Sequence, residues 1–229
     1  MSVPLRRMAL DKQVKAAGGQ ALPDDANAEP HFSALLDECE RLLPEITFTG
    51  RTDGQIADAT VGDDTATVTF DPNHVEGTAY TEDVPFRTAC LLHEIMHVSA
   101  ERHYRRPPQP EVRRTWRTVN FHYGTGPAST FAAQCDTITA NIGRIRARMA
   151  ADNTLNANLR THITSRLDYG EVSPNVHYDT VLLDLLVYLR MKGYGQASLL
   201  FAYLTKLSQE AMDRRTDPKG GPVPAAPAT

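Results

Sequence analysis

The stretch that most constrains this chain is VPFRTACLLHEIMHVSAERHYRR, residues 84 to 106. Asp83 and Pro85 suit a first helical turn, where Pro has no amide bond to lose. After Pro85 no Gly or Pro interrupts the stretch before Pro107-Pro108. Val84, Leu91, Ile95 and Val98 recur at helical spacing, so the stretch predicts one long helix with an apolar face. Such a face has to be buried against other elements, which the rest of the chain must supply.

Upstream, Phe32, Leu35, Leu36, Cys39, Leu42 and Leu43 recur every three or four residues and predict a helix. Ile46 and Phe48 then alternate with Thr47 and Thr49, and Ala66, Val68 and Phe70 with Thr65, Thr67 and Thr69, the period of half-buried strands. Asp71-Pro72-Asn73 closes the second strand with turn residues. Downstream, residues 129–149, 155–167, 178–191 and 196–214 read as helices, the last two separated by Gly193 and Gly195. The expected fold class is α+β, predominantly α, with a small N-terminal β-sheet packed on a helical body. Residues 1–30, rich in Ala, Gly, Asp and Pro, read as a flexible arm and residues 31–216 as a single domain. Residues 217–229, with Pro and Gly throughout, read as a disordered tail.

Composition narrows the classes. With 229 residues, 41% hydrophobic and 23% charged, the chain has what a globular core needs. A net charge of -4 argues against a nucleic-acid binder driven by bulk charge. The three cysteines, Cys39, Cys90 and Cys135, are odd in number and form no Cys-x-x-Cys pair, which argues against a disulfide scaffold or a thiolate zinc site. No apolar run is long enough for a signal peptide or a membrane span. The expectation is no membrane partner, and a location in the cytoplasm or export by a route that reads no cleavable signal.

Within the long helix stand His93, Glu94 and His97, in the order His-Glu-x-x-His. Residues four apart on a helix lie about 40° apart around its axis, so both imidazoles face one way, a two-point grip on a zinc ion. Glu94 sits beside that grip, where its carboxylate can take a proton from a metal-activated water and pass it to a leaving amine. The plain alternative is a pair of solvated histidines and a surface acid. The flanking Ala89-Cys90-Leu91-Leu92 and Ile95-Met96 count against it, because polar groups in so apolar a stretch are costly without partners.

A catalytic zinc site needs a third protein ligand. His103 has the spacing of the metzincin peptidases, but Ala100 stands where those enzymes have the Gly that ends the helix. If the helix continues, position 103 is turned by roughly 80° to 120° from the pair. Asp136 is the preferred candidate, an acid among Phe131, Ala132, Ala133, Cys135 and Ile138. It is equally able to cap locally or to orient a ligand imidazole. Glu101 and Glu111 are more remote candidates.

The stretch TVNFHYGTGPASTFAAQCDTITANI, residues 118 to 142, is similar to part of the aspzincins, the deuterolysin-like and lysine-specific metalloendopeptidases. There the His-Glu-x-x-His helix is followed by Asp-x-x-Tyr-Gly, whose Asp is the third ligand, and then by a helix with Asn-Ala-Asp-Ser/Thr. This chain has Tyr123-Gly124 and Gln134-Cys135-Asp136-Thr137, with Asn120 at the family's Asp position and only Thr118 matching the upstream Gly-Thr. The resemblance spans roughly residues 85 to 142. It implies a zincin-like fold and a zinc-dependent endopeptidase acting on protein or peptide.

Stabilising an oxyanion takes a donor near the metal, and Tyr123 and His177 are the candidates, with His122 and Tyr178 beside them. Each has an ordinary structural role as its alternative, Tyr in packing and His at a helix start. Arg105, Arg106, Arg113, Arg114 and Arg117 form a basic run around the single Trp116 that reads as a solvated loop or an acidic-substrate patch. The apolar stripes of the last two helices read as core. The compact, reduced chain fits a bacterial effector or toxin-type protease, by association alone. Two competing functions stand beside it: a catalytically inactive zincin-like binding or assembly module, and a zinc hydrolase of a non-peptide bond. Oligomeric state is not legible.

Overall fold

The computed structural model describes residues 3–24, 30–53, 55–62, 64–73, 83–105, 128–172 and 174–216. The chain is α+β and predominantly helical, with a small three-stranded sheet in its N-terminal part. It divides into two compact units, residues 1–101 and 102–229. The span read from sequence as one domain, 31–216, therefore contains the boundary between two units.

The first unit begins with helix α1, Val3–Ala16, where the sequence suggests a flexible arm. Leu10, Val14 and Ala17 are buried, and that short stripe is enough to seat the segment against helix α2, Pro30–Leu42. Gly18 ends α1 with φ +78°, its amide bonded to Lys15 O and the Gly19 amide to Val14 O, a left-handed helix cap. The chain then crosses the start of the long helix, where the Thr88 hydroxyl accepts from the Gln20 amide at 2.8 Å and donates to the Gln20 carbonyl at 2.7 Å.

Helix α2 buries Phe32, Leu35, Leu36, Cys39 and Leu42, the face read from its periodicity. A 3-10 turn, Leu43–Glu45, with Pro44 at its start, leads into β1, Ile46–Gly50. Strand β3, Ala66–Phe70, is central: it pairs parallel with β1 and antiparallel with β2, Ala57–Val61. Its Ala66, Val68 and Phe70 are buried while Thr67 and Thr69 are half-buried, so alternation of residue type becomes alternation of face. Helix α3, Val84–Arg105, is the long helix expected from the sequence, with Phe86, Ala89, Leu91, Leu92, Ile95, Met96 and Val98 buried. Cys39 and Cys90 are buried free thiols, and Cys39 Sγ lies 3.8 Å from Met96 Sδ.

Among the described residues, the second unit holds four helices: α4, Ala128–Ala151; α5, Ala157–Val172; α6, Pro174–Met191; and α7, Leu199–Thr216. Helix α6 is buried continuously from Thr180 to Leu189, and such a helix packs on several neighbours at once. It touches α4, α5 and α7. Its buried Asp184 pairs with Arg166 of α5 at 2.5 Å. Asp152, between α4 and α5, reaches the start of α7: it accepts from the Leu200 amide at 2.9 Å and the Ser198 hydroxyl at 2.6 Å. Gly193, with φ +85°, caps the end of α6 as Gly18 caps α1.

Candidate metal centre

Helix α3 places the site's three residues by its own pitch. His93 is buried at 4% exposure, while Glu94 and His97 are half-buried. The Nε2 atoms of His93 and His97 lie 2.9 Å apart, with ring centroids at 4.7 Å and planes crossed at 71°. At that distance one nitrogen donates a proton to the other, or the two lone pairs share a cation. A tetrahedral zinc ion at about 2.0–2.1 Å from each nitrogen sets the two nitrogens about 3.3 Å apart. A small outward swing of either ring spans the difference, so the pair fits a zinc ion as two of its ligands.

The neighbourhood holds this turn of α3 in place. Met96 meets Cys39 of α2, and the Ser99 hydroxyl donates to Glu38 Oε1 at 2.6 Å. Glu38 also accepts both guanidinium nitrogens of Arg41 at 2.8 Å. At the other end of α3, Arg87 Nη1 donates to the Pro72 carbonyl that follows β3.

Arg51, just beyond β1, is a residue that sequence reasoning missed. Its side chain is 12% exposed and forms a fork with Asp53, Nε to Oδ1 at 2.6 Å and Nη2 to Oδ2 at 2.5 Å. Nη2 also reaches Gln55 at 3.1 Å. The bond to Asp53 holds the Arg51 guanidinium more basic than usual against the opposing effect of burial, and the charges of Asp53, Asp58 and Glu94 add to it. The same pairing keeps the Asp53 carboxyl at about 2. Glu94 is the weakest of these influences, so Arg51 is a cation within long-range electrostatic reach of the motif's acid. No residue spacing signals that electrostatic coupling.

Helix α3 runs unbroken past Ala100 to Arg105, so position 103 stays on the helix, turned from the pair as its spacing dictates. The side chains of His103, on α3, and of His177, on α6, lie outside the described residues, as does Tyr123 altogether. Asp136 is on α4 in the second unit and is exposed. The desolvation cost that singled it out in the sequence therefore does not arise, because the acid is solvated. Among the described residues, no group of three or more His, Cys, Asp and Glu side chains gathers to hold a metal ion. No helix among them is long and apolar enough to cross a membrane.

Compared with known proteins, the chain matches no family model, no curated protein and no solved structure.

Proposed function

We propose that this chain is a zinc-dependent endopeptidase of the His-Glu-x-x-His class. The observation that carries the reading is the convergence of His93 and His97 at 2.9 Å on a buried helix, with Glu94 next to them. When bound, zinc supplies a Lewis acid that lowers the pKa of water to about 7 and polarises a carbonyl. His93 and His97 hold the ion. Glu94 is the general base that takes the proton from the attacking water and returns it to the leaving amine. Arg51, whose charge is felt by Glu94, joins Tyr123 and His177 as a candidate donor to the developing oxyanion. Asp136 is the preferred third ligand, with His103 behind it, because α3 does not end before His103. The substrate is a protein or peptide in extended form, for which β1 and β2 are, among the described residues, the outer strands of the three-stranded sheet.

Metal analysis after equilibration with zinc, paired with proteolysis of an unfolded protein substrate, tests the reading. The wild type is expected to hold zinc at one equivalent and to cleave. His93→Ala and His97→Ala lose the metal, whereas Glu94→Gln keeps it and loses cleavage. Asp136→Ala and His103→Ala rank the two third-ligand candidates. A wild type that retains no zinc overturns the proposal.

A further inference from the structure

Away from the histidine pair, the first unit has a cleft of about 520 Å³ between α1, the end of α2 and β1. That size lies within the usual range for small-molecule sites. Its apolar wall is Pro44, Ile46 and Phe48, and its polar lining includes Arg6, Gln13 and Glu40. Glu40 is the unusual member. It is 4% exposed, lines the cleft and makes no hydrogen bond among the described residues. Its carboxyl oxygens reach the open cleft, where water or a ligand can meet them. Burial, foremost, raises its pKa; Arg7 opposes this, Asp37 and Asp11 add to it, and Arg6 opposes it again. Arg41, which also lines the cleft, is already held by Glu38 and Glu45. Arg6 is exposed and in no ion pair among the described residues, so the cleft presents an acid and a base that act on each other only through their charges, beside an apolar wall.

We propose that this cleft binds a short apolar peptide or amino acid as its zwitterion, with the ammonium on Glu40, the carboxylate towards Arg6 and the side chains against Ile46, Phe48 and Pro44. A bound ammonium supplies the three donors that Glu40 otherwise lacks. The carboxylate matches the guanidinium of Arg6. The site is separate from the histidine pair and does not depend on zinc.

Calorimetric titration with the dipeptide Leu-Leu, its N-acetyl form and its C-terminal amide tests this on the full chain. Leu-Leu is expected to bind saturably, N-acetylation to weaken binding at least tenfold, and amidation to weaken it less. Glu40→Gln, shown folded by circular dichroism, is expected to weaken Leu-Leu at least tenfold and to leave the N-acetyl form unchanged. Absence of saturable Leu-Leu binding to the wild type overturns the proposal. So does equal binding of the N-acetyl form, a comparison that needs no variant.

Discussion

Ser99 and Glu38 tie the helix of the histidine pair to α2, hydroxyl to carboxylate at 2.6 Å, two residues beyond His97. Ser99 is buried, and its partner is an ion, which makes this one of the stronger side-chain bonds in the unit. Arg41 remains on Glu38 when the serine is removed, so part of the carboxylate's satisfaction survives. Ser99→Ala is expected to cost about 1–2 kcal/mol. Urea unfolding of the variant beside the wild type measures it, and an unchanged midpoint refutes the role assigned to this bond.

Asp152 makes stability depend on acid pH. Burial pushes its carboxyl up, but the Leu200 amide, the Ser198 hydroxyl and Thr154 outweigh burial and hold it at about 2, below the ordinary 3.8. A carboxyl depressed by folding contributes fully above its unfolded value and loses that contribution as pH falls through the folded one. The window is therefore the fall from 3.8 towards about 2. Asp152→Ala, which uncaps α7, is expected to cost about 2–3 kcal/mol at neutral pH. Its deficit against the wild type should shrink across that window, as followed by urea midpoints; a constant deficit contradicts the assignment.

The Arg166–Asp184 pair makes a different prediction. Asp184 is 4% exposed, so removing it leaves the Arg166 charge in a largely buried place. Asp184→Leu is expected to destabilise by about 3 kcal/mol, and the double variant Arg166→Leu/Asp184→Leu to recover most of that loss. Thermal unfolding of the two decides it. A double variant no more stable than the single one shows that the pair is not the cause.

Zinc should stabilise the fold if the histidine pair binds it. At a free concentration one hundred times its dissociation constant, a ligand of the folded state alone adds about 2.7 kcal/mol. Zinc is expected to raise the unfolding midpoint, a chelator to reverse the rise, and His97→Ala to abolish it. An equal rise in His97→Ala places the zinc elsewhere.

Much of this architecture is legible in periodicity, and the reasons for the rest are local. Helix α2 and strands β1 and β3 carry clean repeats of apolar residues, and burial follows them; on α3, Val84, expected on the apolar face, is 41% exposed at the helix start, and burial runs unbroken from Phe86 to His93. Strand β2 carries no such repeat: Ala57, Asp58 and Ala59 are poor strand formers, and the strand exists only where β3 offers a partner. Helix α1 hides its Leu10, Val14 and Ala17 stripe among basic residues and alanines. The pairing of His93 with His97 is intrinsic to a four-residue helical spacing, so it was visible early. The electrostatic coupling of Arg51 to Glu94 and the partner of Asp184 are products of tertiary folding, which leaves no mark in residue spacing.

The sheet's strand order also has a consequence during synthesis. Central β3 is the last of its three strands in the sequence, and β1 pairs with it across twenty positions, Ile46 with Ala66. At about 5–20 residues per second, a ribosome needs on the order of seconds to make the strand that β1 needs. Until then β1 and β2 have no mutual pairing to adopt, and Ile46 and Phe48 stay uncovered by any native sheet. Of the three strands, β1 is therefore the one whose open edge is longest exposed to chance encounters in the nascent chain.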